Sequence, residues 1–275
     1  MRNINDILRI AKKRLGDAGV VGADSDAEFL FAHILGVSRS QLKFYGEASG
    51  EQEARFNDLI ARRLSHEPMD SLIGYTEYLG LKIPFNKAVL TPRQETEIMT
   101  DNIINEHKGK ENLEILDLCC GSGCIGLALS KHLGATTTLA DISDEAVDIA
   151  RGNAELNHIK CDIIASNLFD NVTGQFDIIV SNPPYIPTSD LLSLEDEVKF
   201  YDPSIALDGG QDGLDFYVKI IGSAPKYLKD NGRIYLEFGI NQAKDIYNLM
   251  QENFKDITIY RDYSGIERYI KGIKK

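Results

Sequence analysis

After about Thr91, short apolar runs and longer amphipathic stretches alternate along the chain. "LEILDL" precedes "GCIGLALSKHLG", and "TTTLADI" precedes "DEAVDIARGNAELNH". "CDIIAS" and "FDIIV" follow, then "GLDFYVKIIGSAPKYLKD", "GRIYLEFG" and "NQAKDIYNLMQENF". The short runs read as strands and the longer stretches as helices. Strands interleaved with helices imply an α/β fold with a mostly parallel sheet and helices on both faces. The last two strands, "DITIYRD" and "ERYIKG", have only "YSGI" between them. That connection permits an antiparallel hairpin but no crossover helix.

The first part of the chain has a different texture. From Ile4 to about Glu67 it reads as helical throughout, with Ile4, Ile7, Leu8, Ala11, Leu15 and Ala18 on one stripe. "DSDAEFLFAHILG" offers Asp24, Ser25 or Asp26 as an N-cap and Gly36 as a stop. Phe56, Leu59, Ile60 and Leu64 repeat the helical spacing. Short helices must bury their stripes against one another, so a small helical bundle is expected. It holds no catalytic constellation, which leaves a structural cap or a docking module. "IGYTEYLGLKIPF", Ile73 to Phe85, reads as a hairpin joining the two parts.

"ILDLCCGSGCIG" is the first chemical signal. An apolar strand ends near Asp117, passes through Gly121 and Gly123, and enters a helix. Open α/β sheets bind nucleotide-like ligands beyond the carboxyl ends of their strands. An acidic Asp117 before the turn suits an ammonium group better than a pyrophosphate, which prefers an uncluttered helix N-terminus. The next strand ends in Asp141, where a carboxylate can grip ribose hydroxyls. An amine at one end and a ribose at the other describe S-adenosylmethionine better than NAD. The cysteines Cys119, Cys120, Cys124 and Cys161 do not form the paired spacing of a structural zinc site. They read as reduced thiols, with no metal expected.

"SNPPYIP" ends the strand "FDIIV". Neither proline can donate to a sheet ladder. The turn follows the fourth strand of the α/β region, adjacent to the first in the usual doubly wound order, so it faces the same crevice. A planar nitrogen must pyramidalise to attack a methyl group, and acceptors against its two N–H bonds favour that geometry. The Asn182 side-chain oxygen and the Pro183 carbonyl can supply them, while Tyr185 can stack on the planar group. This is positioning and electrostatic preorganisation.

The formal net charge is −12. An acidic balance argues against a nucleic-acid substrate, since such domains usually carry a basic face. "MRNINDILRIAKKRLG" lacks the features of a signal peptide, and no apolar run approaches a membrane span. A cytoplasmic protein without stable nucleic-acid or membrane association is expected.

"EPMDSLIGYTEYLGLKI", "VLTPRQETE", "ILDLCCGSGCIGLAL", "ADIS", "SNLFD", "FDIIVSNPPYIP", "DPSIALDGGQDGLDFY" and "YLEFGINQ" together resemble the HemK-type release-factor glutamine methyltransferases. The resemblance covers almost the whole chain. It implies a Rossmann-like class I methyltransferase domain over residues 91–275, with a seven-stranded sheet whose last strand is antiparallel. A small α-helical domain over 1–70 would dock the release factor, and 71–90 would be a hairpin linker. The implied activity is S-adenosylmethionine-dependent N5-methylation of the glutamine in the Gly-Gly-Gln motif of class I peptide chain release factors. The same turn also serves N6-adenine and N2-guanine methyltransferases of nucleic acids. By position, Asn182, Pro183 and Tyr185 would be catalytic. Pro184, Arg93 and Glu97 would join them in binding substrate, with Arg93, Glu95 and Glu97 on a loop over the site. Asp117, Cys119, Cys120, Gly121, Ser122, Gly123, Asp141, Ile142, Asn167, Leu168 and Asn182 would hold the donor. Three positions depart from the family pattern: Cys119 stands where a glycine is usual, Asn167 where Asp is common and Gln94 where Pro is common. "DGGQDG" reads as a glycine loop before a helix. Glu237, at a strand end, reads equally as a loop-orienting group or a surface carboxylate.

Overall fold

The computed structural model describes residues 1–275, the side chain of Asp196 excepted. The chain begins with β1 (Arg2–Asn3), α1 (Ile4–Asp17), α2 (Ala23–Leu35), β2 (Glu47–Ala48), α3 (Gly50–Leu64) and α4 (Met69–Ile73). Next come β3 (Tyr75–Tyr78), β4 (Leu81–Pro84), α5 (Gln94–His107), β5 (Glu114–Leu118), α6 (Cys124–Leu133), β6 (Thr136–Asp141), α7 (Asp144–Leu156) and β7 (Asp162–Ala165). The remainder is β8 (Phe176–Ser181), α8 (Asp196–Lys199), α9 (Asp215–Tyr227), β9 (Leu228–Glu237), α10 (Ala243–Met250), β10 (Phe254–Arg261) and β11 (Glu267–Lys274). Two compact units result, one of Met1–Tyr75 with Asp196–Tyr201, the other of Thr76–Glu195 with Asp202–Lys275.

In the helical unit, Asn3 caps α1 by accepting from the Asn5 amide at 2.9 Å. Ile4, Ile7, Leu8, Ala11 and Leu15 then face the core. The N-cap of α2 is displaced: left-handed Gly22 precedes the helix and Asp24, Ser25 and Asp26 lie inside it, while left-handed Gly36 ends it as expected. Asp26 is taken up instead by Arg63, whose Nε donates to it at 2.9 Å. Arg63 also donates to the Glu67 carbonyl and to Glu197, so this buried charge is fully partnered. Ser49 and Gln52 form a capping box on α3.

The hairpin starts later than expected, because Met69–Ile73 is helical. Between β3 and β4, Leu79 and Gly80 both take positive φ, as a tight two-residue hairpin turn demands.

The second unit holds a seven-stranded sheet in the order β10-β11-β9-β8-β5-β6-β7. The successive pairs β7–β6, β6–β5, β5–β8 and β8–β9 are parallel. β11 alone runs against its neighbours β9 and β10. Side chains alternate across β5: Ile115 joins the core beneath α5, α6 and α7, while Leu116 and Leu118 join the core beneath α9 and α10. The chain leaves β5 toward β6 on one side and later returns to β8 on the other. The strand order therefore reverses at β5, which opens a crevice at the carboxyl ends of β5 and β8. Among the described residues no helix is long and apolar enough to cross a membrane.

Candidate active site

Leu118 of β5 sits level with Ser181 of β8, and the Ser181 hydroxyl donates to the Leu118 carbonyl at 2.7 Å. The glycine turn and the Asn-Pro-Pro-Tyr turn thus leave the sheet side by side. A cavity opens there, and its wall includes Arg93, Cys119, Cys120, Gly121, Ser122, Asp141, Ile142, Asn167, Leu168, Asn182 and Pro184. These are eleven of the residues singled out from sequence.

The Asp141 carboxylate braces the turn. Its Oδ2 accepts from the Gly121 amide at 2.8 Å and its Oδ1 from the Ser143 amide at 3.0 Å. Each oxygen keeps a lone pair, so the group can still accept from ribose hydroxyls. Ile142 follows it with 55 % exposure, an apolar surface suited to the face of a purine. Ser166 holds the opposite lip: its hydroxyl donates to the Leu168 carbonyl and accepts from the Asn171 amide. A carboxylate for a diol beside an apolar shelf fits a nucleoside-bearing methyl donor.

Six residues given a site role from sequence stand outside the cavity wall. Asp117 is fully buried and accepts from the Gly126 amide at 2.8 Å. Burial pushes its carboxyl up to about 7. It stiffens the helix entry from beneath through Oδ2, while its Oδ1 is buried with no partner among the described residues. Gly123 caps α6 with φ +79°, and a side chain there would press on Leu139 and Ala150. Its glycine therefore serves helix-to-sheet packing. Glu97 does not lie on a loop, nor does Glu95. Both are in the first turn of α5, where acidic groups favour the helix dipole. Glu97 accepts from the Leu79 amide at 2.9 Å and so fastens the hairpin turn. Pro183, between the wall residues Asn182 and Pro184, and Tyr185, packing toward Gly239, are not part of the wall.

The Asn182 amide is held firmly. Its Nδ2 donates to Glu237 Oε1 at 2.9 Å and to Thr96 Oγ1 at 3.2 Å. Its Oδ1 is buried and has no partner among the described residues. A buried acceptor without a donor costs free energy unless a ligand satisfies it. Glu237 is 3 % exposed and points inward, so it is no surface carboxylate. Burial pushes it up to about 7, opposed by hydrogen bonds from Thr96 and Asn182.

Other residues without a site role in the sequence reading support the turns. Asp202 accepts from the Thr91 amide at 3.1 Å and pairs with Arg93. Gln242 Nε2 donates to the Tyr185 carbonyl at 2.9 Å and to the Gly213 carbonyl at 3.2 Å. Its Oε1 accepts from the Gly239 amide at 2.9 Å. The "DGGQDG" loop is the back support of the Asn-Pro-Pro-Tyr turn. Gly209 donates to the Ile186 carbonyl, and Thr188 to that of Gly210. A glutamine three residues beyond "FG", able to satisfy carbonyls of two loops, is the only sequence signal for this.

Cys119 carries a left-handed backbone, φ +57°. Only glycine takes that conformation without penalty, which explains why the related pattern has glycine there. Burial pushes the Cys119 and Cys124 thiols up to about 12, leaving them protonated. Cys119→Gly should raise stability by about 0.5–1 kcal/mol, the relief of strain less the added chain entropy. Thermal unfolding checks this, and a lower Tm would show that the thiol's packing outweighs the strain.

The sheet order and the crevice define a class I methyltransferase. Residues 93–193 match the "Methyltransferase small domain" family model and residues 6–74 the "PrmC N-terminal domain". A solved methyltransferase from Pyrococcus furiosus superposes with a TM-score of 0.53 at 18% identity, covering 82% of this chain and 99% of that one. The release factor glutamine methyltransferase of Geobacter sulfurreducens is 36% identical over 98% of this chain and 96% of its own length. That of Thermodesulfovibrio yellowstonii is 39% identical over 88% and 90%. The chain belongs to the release factor glutamine methyltransferase family.

Proposed function

We propose that the chain methylates the side-chain amide nitrogen of the glutamine in the Gly-Gly-Gln motif of class I peptide chain release factors, with S-adenosylmethionine as donor. The observation that carries this is the buried, unpartnered Oδ1 of Asn182, beside a cavity suited to a nucleoside. An acceptor fixed there calls for an N–H donor, and a primary amide supplies one.

S-adenosylmethionine, when bound, would supply a methyl group activated by its positive sulfur for transfer to the amide nitrogen. Asp141 would hold the ribose, Ile142 and Asn167–Leu168 the adenine, and Cys119 to Ser122 the amino-acid end. Asn182 Oδ1 accepts one N–H of the substrate amide and the Pro183 carbonyl the other. The β8 ladder ends at Ser181, so that carbonyl lies beyond the sheet pairing. Two acceptors draw the hydrogens out of the amide plane and let the nitrogen lone pair face the methyl. The surplus amide proton would pass to solvent after transfer, so no strong base is needed beforehand. Pro184 and Arg93 flank the substrate side, and Tyr185 closes it from behind. The helical part over 1–70 would dock the release factor, 71–90 would link it, and 91–275 would carry the chemistry in the cytoplasm.

Incubation with labelled S-adenosylmethionine and either a release factor or RNA tests this. Label should enter the release factor and vanish when its Gly-Gly-Gln glutamine is replaced. Label on RNA alone would assign the site to nucleobase amines instead.

A further inference from the structure

Asn182 can offer an acceptor to the cavity in only one of its two amide orientations. What selects that orientation is Glu237, which lies outside the cavity wall, together with Thr96, which is part of it. The two groups facing Nδ2 are Glu237 Oε1 and Thr96 Oγ1. An ionised carboxylate only accepts hydrogen bonds, so the amide edge turned toward it must be the NH2. The Thr96 hydroxyl accepts from the same NH2 and gives its own hydrogen to Glu237. The chain of donors thus runs one way, from Asn182 through Thr96 to the carboxylate, and leaves Oδ1 facing the cavity.

We infer that Glu237 is a positioning residue of the transfer reaction: its carboxylate holds Asn182 with Oδ1 toward the substrate amide, and its protonation releases that orientation. The inference rests on the methyl-transfer reading above. A protonated Glu237 becomes a donor, and Asn182 can then turn over to accept from it. The NH2 would face the substrate and oppose the amide N–H it should receive.

The surroundings set Glu237 near its switching point. Glu95 of α5 disfavours the charge, while Arg268 of β11 favours it. Tyr78 of β3, Cys124 of α6, and Tyr185 after β8 face it as neutral groups with raised pKa values. Tyr217 of α9, also neutral, donates to the Glu237 backbone carbonyl at 2.7 Å and leaves the carboxylate alone. Arg268 is shared, since it also binds Asp262 at 2.8 Å and Glu95 at 3.5 Å. Glu237 Oε2 is buried with no partner among the described residues, which gives a proton a place to reside. With burial as the largest influence, the carboxyl is pushed up to about 7.

The test is kcat, at saturating donor and release factor, between about pH 6 and pH 8 for three proteins. In the unmodified protein kcat should rise with pH through about 7. Glu237→Gln can support either amide orientation, so it should be roughly tenfold slower and independent of pH. Glu237→Asp keeps the charge and should keep the rise. Donor Kd should change in neither variant, because Glu237 does not reach the cavity wall. Glu237→Gln removes a buried charge, so its Tm should not fall. A flat profile in the unmodified protein, or a Glu237→Gln variant with full turnover, would overturn the inference. Absence of any transfer by the unmodified protein would instead remove the functional reading beneath it.

Discussion

Asn182→Ala should lower kcat roughly ten- to a hundredfold or more, while the Kd for S-adenosylmethionine changes by less than about twofold. The substitution removes the buried acceptor of the crevice and leaves Asp141, Ile142 and the glycine turn in place. A hydrogen bond worth about 1–3 kcal/mol at the transition state corresponds to that loss of rate. Single-turnover kinetics beside calorimetric titration of the donor separates the two quantities. Unchanged turnover would take Asn182 out of the reaction. An equal loss of donor affinity would make it a donor ligand and no more.

Gly213→Ala should cost about 2–4 kcal/mol of stability and lower turnover as well. Gly213 sits at φ +77°, which penalises any side chain, and a Cβ there would lie 2.3 Å from the Tyr185 carbonyl oxygen. It would also lie 2.6 Å from Gln242 Nε2, the group that fastens that carbonyl. Something must move, and the parts available are Tyr185 and the Gln242 fork. Gly209 is equally confined, with Tyr185 Cα 2.8 Å from its own imagined Cβ. Urea unfolding and kcat measure the effect together. Full stability with full activity would mean that the Asn-Pro-Pro-Tyr turn is aimed without help from this loop.

The α/β alternation, the sheet's antiparallel closing strand and the shared crevice were legible in the chain, because each follows from periodicity and from connection length. β5 and β8 are short apolar runs, and "YSGI" is too short for a crossover. The orientation of Glu237 was not legible. β9 is covered on both faces, with Ile234, Tyr235, Leu236 and Glu237 all buried, so the usual in-and-out alternation gives no direction. The start of α5 was legible in principle. Acidic residues at 95 and 97 precede Met99 and Ile103 at helical spacing, which marks a helix start where the family resemblance implies a loop. At α7 the helix N-cap is Ser143, one residue before the stretch that reads as helical, since its hydroxyl accepts from the Ala146 amide. Asp117 shows the limit of motif reading. A carboxylate at a strand end can face the ligand or the helix behind it, and here the Gly126 amide takes Oδ2 while Oδ1 is left without a partner among the described residues.

The side-by-side exit of β5 and β8 has a consequence for how far a methyl group must travel. Neighbouring strands lie about 4.8 Å apart in any sheet. The donor turn and the acceptor turn are each rooted at the end of one such strand, with Leu118 level with Ser181. The gap between the exchanging molecules is therefore set by the sheet's own lattice and not by the length of either loop. Substitutions or insertions farther along those loops change which molecules are held, while the span to be crossed stays the same.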